Sequence, residues 1–172
     1  REINEVINHK KAFDYLLEYK RDIDKKLICK LQELIVSNAL KEELKSQIGK
    51  YREIQVYIRG ADFIPPKPKG VKKKMRNLLF WYSRNKMILH PLILAAYFHA
   101  AFEYIHPFVD GNWRTGRLLL NFILYKNKYP MINIPNSKRL EYYNCLDEAR
   151  KGNLRKFIKS LFDLMVSTKI YI

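Results

Sequence analysis

One stretch, His106-Pro-Phe-Val-Asp-Gly-Asn-Trp-Arg-Thr-Gly-Arg117, packs a histidine, a carboxylate, two glycines, an amide and two arginines into twelve residues. Pro107 prevents simple continuation of the apolar helical pattern before it, so His106 falls at a helix end where its ring can reach a cleft. Phe108 reads as a plug into the core. Asp110 is a hard oxygen ligand placed where a Mg²⁺ bound to phosphates can be held. Gly111 permits a positive φ or a close backbone approach. Asn112 can cap the next helix or hold a ligand through its amide. The first turn of that helix offers unpaired N–H groups, and Arg114 and Arg117, three apart, share a face and point at the same anion. A base, a metal carboxylate and a cationic helix start together suggest phosphoryl-type chemistry, which is catalysed mainly by positioning and charge neutralisation. Taken singly, each residue has an ordinary structural role, as cap, turn or solvated charge. Their occurrence together at fixed spacing argues for a site.

The elements that must position this loop are mostly helical. Apolar residues at Ile3, Val6, Ile7, Phe13, Leu16 and Leu17 suit one face of a helix from Glu2 to about Tyr19. Asp24 can cap a second, with its stripe at Leu27, Ile28, Leu31, Leu34 and Ile35, and Asn38 ends it. After a polar stretch from Lys41 to Lys50, the run Tyr51 to Ile58 alternates Ile54, Val56 and Ile58 with polar neighbours and predicts a strand. Gly60-Ala-Asp62 signals a turn and Phe63-Ile64 a short return strand. The Pro65-to-Gly70 segment is expected to be non-helical and to end this hairpin. Helical patterns resume from Val71 to Tyr82, from Pro91 to Ile105, from Asn112 to about Lys128, from Ser137 to Lys151, and from Asn153 to about Val166, with Gly152 as a cap. With no internal repeat or linker, residues 1–172 read as one mainly α domain with a small hairpin.

The composition is that of a globular chain, 48% hydrophobic over 172 residues. The apolar stretch Met87 to Ile105 is interrupted by His90, Pro91, His99 and Glu103, so it reads as a buried helix and not a membrane span. The chain shows no signal peptide and no initiator methionine, and reads as a piece whose upstream part is missing. Cys29 and Cys145 lack metal-type spacing and read as buried free thiols in a reducing, cytoplasmic setting. The net charge of +16 raises nucleic acid as a partner. The lysines and arginines are scattered, with one dense cluster from Lys67 to Arg76, which argues for solvated helix faces instead. A nucleotide fits the charge equally well.

The twelve-residue stretch closely resembles the signature of Fic domains, His-Pro-Phe-x-Asp/Glu-Gly-Asn-Gly/Lys-Arg-x-x-Arg. Gly49-Lys-Tyr-Arg52 with Pro65-Pro66-x-Pro68 resembles that family's flap region. His90-Pro91, Ala95-Ala96 and His99 precede the motif as in many members. Arg139, Tyr142-Tyr143, Leu146 and Gly152 resemble its following helix, and Glu2-Ile3 to Ala12 a further segment. The resemblance implies the family's helical fold and a protein adenylyltransferase that moves AMP from ATP to a Ser, Thr or Tyr hydroxyl of a target protein. It implies His106 as general base, Phe108 as loop anchor and Asp110 on Mg²⁺. Gly111, Asn112, Trp113, Arg114, Gly116 and Arg117 would form the phosphate site, with Gly116 allowing tight packing and Arg117 meeting the terminal phosphate. Tyr143, Leu146 and Arg150 would line the adenine pocket. Val56, Ile58, Gly60, Phe63 and Ile64 would form the flap where a target segment docks as an added strand.

Two departures bear on function. Trp113 stands where the family usually has glycine, or lysine in a branch that phosphorylates; it could leave the backbone donors intact or alter or abolish the transfer. The inhibitory motif Ser/Thr-x-x-x-Glu-Gly/Asn, whose glutamate pairs with the second arginine, is not found in the sequence, so the piece reads as lacking its own brake with Arg117 left free, and an inhibitory segment before Arg1 or another protein could supply that glutamate. The alternative from another class is a basic helical module for nucleic acid or protein, with the loop purely structural. A homodimer is left open.

Overall fold

A computed structural model describes residues 2–58, 61 and 63–168, the side chains of residues 2 and 168 excepted. The described residues form seven α-helices: α1 (Glu2–Glu18), α2 (Lys25–Val36), α3 (Pro68–Asn85), α4 (Pro91–Ile105), α5 (Asn112–Lys126), α6 (Arg139–Arg150) and α7 (Arg155–Thr168). α4 is the axis of the assembly and packs against α3, α5, α6 and α7, while α1 and α2 pair with each other and close over α5. Nine of its fifteen residues are buried, which is why its sequence is apolar all round. Pro91 occupies its first turn and His90 caps it, with Nδ1 accepting from Leu92 N–H at 3.2 Å. α5 packs on α4 through Gly116, and its Leu118, Leu119, Phe122 and Ile123 are buried. No described helix is long and apolar enough to cross a membrane. Cys29 is half-buried and Cys145 buried, both as free thiols.

Several expected features recur. Asp24 caps α2 by accepting Leu27 N–H at 2.8 Å, and Asn38 follows the helix at φ 60°. Gly152 ends α6 at φ 92°. Other features are corrected. Ile3, Val6 and Ile7 are not core residues: they are 75%, 71% and 46% exposed. The buried face of α1 is Asn8, Ala12 and Leu16, because the end of α2 needs donors and the Asn8 amide supplies them to Ile35 O and Ser37 O. Helix α3 starts at Pro68 inside the segment expected to be non-helical; proline is tolerated in a first turn, where no N–H is required.

The strand expected over Tyr51 to Ile58 does not form, and neither does the return at Phe63-Ile64: the described residues of this segment are extended without a ladder. Its limbs are tied by side chains instead. Gln55 Nε2 donates to Val56 O and to Pro65 O, both at 3.1 Å. Arg52, 1% exposed, donates from Nη1 to Ile54 O at 3.0 Å and from Nη2 to Pro66 O at 2.6 Å. The same guanidinium reaches the end of α4, with Nε on His106 O at 2.8 Å and Nη2 near Ile105 O at 3.4 Å. Arg52 N–H adds a bond to Pro107 O at 2.8 Å. Arg52→Met therefore strands four carbonyls in the interior, and urea denaturation is expected to show a loss of about 3 kcal/mol or more.

Candidate active site

The loop between α4 and α5 is shaped by three polar side chains. His106 ends α4 in the left-handed region at φ 49°, ψ 62°, a conformation a non-glycine residue keeps only when its surroundings enforce it. Arg52 does so by gripping the carbonyls on both sides of the His106–Pro107 bond. Asn112 then closes the loop: its Oδ1 accepts Phe108 N–H and its Nδ2 donates to Phe108 O, each at 2.8 Å. Gln32, fully buried on α2, donates to Asp110 O at 3.1 Å and accepts Gly49 N–H at 2.7 Å. Phe108 is 0% exposed and packs on Tyr51 and Phe102, as a plug should. Gly111 has φ 79°, and a Cβ there would lie 2.8 Å from Val36 Cγ1, so both its freedom and its lack of a side chain are used.

Asn112 is thus the first residue of α5 and not its cap. Its amide is committed to Phe108, leaving its backbone N–H for an anion. Gly116 faces away from the cavity: a Cβ would meet Glu103 Oε1 at 2.4 Å, so its role is close packing on α4. The remaining loop residues converge. His106, Asp110, Gly111, Trp113, Arg114 and Arg117 line a cavity of about 820 Å³ on the α1 side, where Glu5 and His9 form the opposite wall. The start of α5 opens into it with no capping side chain, which makes it a natural anion site. Arg114 sits between two carboxylates, Glu5 and Asp110, each at 3.6 Å. Arg117 forms no ion pair among the described residues, and its guanidinium carbon stacks 3.7 Å from the centroid of the Trp113 ring.

A second cavity, about 630 Å³, lies on the other side of His106 and Trp113 and is more apolar. It brings together Tyr143, Leu146 and Arg150 of α6 with Ile58 and Phe63 of the extended segment. Phe63 packs on Tyr104, ring centroids 5.2 Å apart, and under the Arg150 guanidinium at 4.6 Å, which pins the segment over the cavity. Val56 and Ile64 do not line it, and Ile64 is 63% exposed. Gly60 lies outside the described residues. His106 and Trp113 border both cavities and so define the neck between them.

Burial sets the proton positions. The His106 imidazole is pushed down to about 4, first by desolvation and then by Arg52, so it is a neutral ring with a lone pair to accept a proton at neutral pH. Desolvation, then Arg117 and Arg114, also lowers His9. Glu103 on α4 is pushed up to about 8 by burial against the opposing pull of Arg117, and its Oε2 lies 3.9 Å from His106 Nδ1. His99, fully buried, falls to about 4 and bonds Tyr142 Oη at 2.7 Å; it packs the helices and lines neither cavity. Among the described residues no group of three or more His, Cys, Asp or Glu side chains could hold a metal ion. One partly exposed carboxylate, Asp110, beside an anion site fits a Mg²⁺ that arrives on a nucleotide's phosphates and keeps its waters.

Gln32, Arg52 and Glu103, and the wall residues Glu5 and His9, were not singled out by sequence spacing. Two left a trace there: Glu103 as an acid inside the apolar stretch before the motif, and Arg52 within Gly49-Lys-Tyr-Arg52.

Opposite signs follow for stability. The fold refuses protons on His99 and His106 that the unfolded chain accepts below 6.5, so their contribution is lost as pH falls toward about 4. Glu103 stays protonated in the fold, so its contribution is present below 4.5 and is lost as pH rises through about 8. Denaturant melts across pH are expected to show a decline between pH 6.5 and 8, above the range where the two histidines act, and that decline is flattened in Glu103→Gln.

Residues 22–124 match the model described as the Fic/DOC family. The chain is 36% identical over 163 residues to the protein adenylyltransferase Fic of Nematostella vectensis, covering 92% of this chain and 37% of that protein. It is 35% identical over 171 residues to the protein of the same name from Drosophila melanogaster, covering 97% and 34%. Among solved structures, a Fic domain containing signaling protein from Bacteroides thetaiotaomicron superposes with TM-score 0.85 at 25% identity, covering 95% of this chain and 69% of that one. Fic-1 from C. elegans superposes with TM-score 0.82 at 30% identity, covering 96% and 49%. The chain spans a little over a third of the length of the curated relatives it matches. With its motif, its helices and its family match in agreement, the chain belongs to the Fic/DOC family.

Proposed function

We propose that the chain is a protein adenylyltransferase that moves AMP from ATP to a hydroxyl side chain of a target protein. The observation that carries this is a partly buried His106 at the neck between a cavity that holds Arg114, Arg117 and the open start of α5 and a more apolar, aromatic one. A nucleotide has that polarity, with phosphates at one end and a base at the other, and its α-phosphate would then fall beside the base that activates the acceptor. The relatives named protein adenylyltransferase Fic support the same reading.

In this reading His106 takes the proton of the target hydroxyl, whose oxygen attacks the α-phosphorus as the bond to pyrophosphate breaks. The first-turn N–H groups of Asn112 and Trp113 with Arg114 hold the phosphates nearer that centre, and Arg117 meets the terminal one. Asp110 would hold Mg²⁺, which neutralises phosphate charge when bound. Tyr143, Leu146 and Arg150 take the adenine. The described residues between Val56 and Ile64 keep their main-chain groups out of any ladder, which suits docking of a target strand. A glutamate from another segment or protein could reach Arg117, the arginine left without an ion-pair partner among the described residues. The second reading is altered or lost transfer because of Trp113, with a different phosphate-containing group moved or none.

Incubation with ATP labelled at the α- or the γ-phosphate separates these. Label from the α position alone is expected on target protein, with His106→Ala reducing it about 100-fold or more. Retention of γ label alone would establish phosphorylation instead.

A further inference from the structure

Trp113 stands beside an arginine of the phosphate cavity that no described acid pairs with. Its indole covers the Arg117 guanidinium at 3.7 Å and leans on Tyr142, ring centroids 6.0 Å apart, so the ring is braced from behind. Arg117 makes no ion pair among the described residues, and its buried Nε has no hydrogen-bond acceptor. Glu103, the carboxyl on the facing helix, is kept neutral by burial and does not hold it. Stacking differs from an ion pair in one decisive respect. It orders the plane of the guanidinium through a face and leaves every in-plane N–H free, whereas a carboxylate occupies those donors. Arg117 is therefore fixed in direction with its donors unspent, beside a cavity that also contains Arg114 and the open start of α5.

We propose that Trp113 is a positioning residue: by stacking on Arg117 it aims that guanidinium at the distal phosphates of a bound nucleotide. The proposal rests on the nucleotide reading of the two cavities and assigns a gain of affinity to a side chain at a position where the motif it resembles usually has glycine. Because Trp113 also borders the base-side cavity, the competing role is contact with the base or ribose, and the two roles separate by ligand.

The test measures affinity for ATP, tripolyphosphate and adenosine by calorimetry in wild type, Trp113→Phe, Trp113→Leu and Trp113→Ala. Phenylalanine keeps a ring face for the guanidinium, and leucine keeps bulk without one. The expected result is about tenfold weaker binding of ATP and tripolyphosphate in the Leu and Ala variants, adenosine little changed, and most of the loss recovered in Trp113→Phe. If Trp113→Ala does not fold, the contrast between Phe and Leu decides. In a Trp81→Phe background Trp113 is the sole indole of a chain with two tryptophans, and tripolyphosphate is expected to shift its emission. Equal losses for adenosine and tripolyphosphate, no loss of tripolyphosphate binding, or failure of phenylalanine to recover it would each overturn the proposal. None of these readouts needs turnover. A wild-type protein that binds tripolyphosphate yet transfers no AMP overturns the adenylyl-transfer reading and leaves this one standing.

Discussion

The buried guanidinium of Arg52 is where three parts of the chain meet: both limbs of the extended segment, the last turn of α4, and the loop that carries the base. Its donors are distributed over carbonyls of Ile54, Pro66, Ile105 and His106. A helix end inside a protein leaves carbonyls that need donors, and a left-handed histidine before a proline is a conformation the chain does not hold unaided. One side chain meets both demands. The cleft's two edges, the loop and the segment facing it, therefore share a single origin, and neither can shift without disturbing the other.

Around that anchor the site divides its electrostatics by depth. Two arginines, two carboxylates and helix N–H groups face the larger cavity, while desolvation favours the uncharged imidazole of His106 at the neck and the uncharged carboxyl of buried Glu103. The same burial that lowers the basicity of His106 keeps its lone pair available at neutral pH. Close packing of Gly116 on Glu103 contributes to that burial, since α4 and α5 approach there too tightly for a side chain at position 116.

What could be read from the chain was what lies close together along it. The spacing within His106 to Arg117 brought the base, the carboxylate and the arginines to one cavity, and the helical periods gave α2, α4 and α5 nearly to the residue. Bonds spanning long separations left no such trace: Gln32 holding Asp110, or Arg52 holding His106, emerges only once the helices are packed. The misread segments failed for physical reasons of the same kind. Alternation over Tyr51 to Ile58 predicts a strand, but arginine and glutamine side chains took over the pairing of its limbs. Ile3, Val6 and Ile7 have helical spacing, yet the face that packs on α2 is chosen by an asparagine that completes the neighbouring helix.

The way Arg117 is held also determines how the site responds to its surroundings. Ion pairs such as those of Arg114 with Glu5 and Asp110 weaken as dissolved salt screens them, over a Debye length of about 8 Å at physiological ionic strength. A guanidinium laid on an indole in a half-buried pocket is far less exposed to that screening. Of the two arginines, one is thus tethered by forces that vary with the medium and the other by a contact that does not, so the cavity keeps one fixed reference charge across a wide range of ionic conditions.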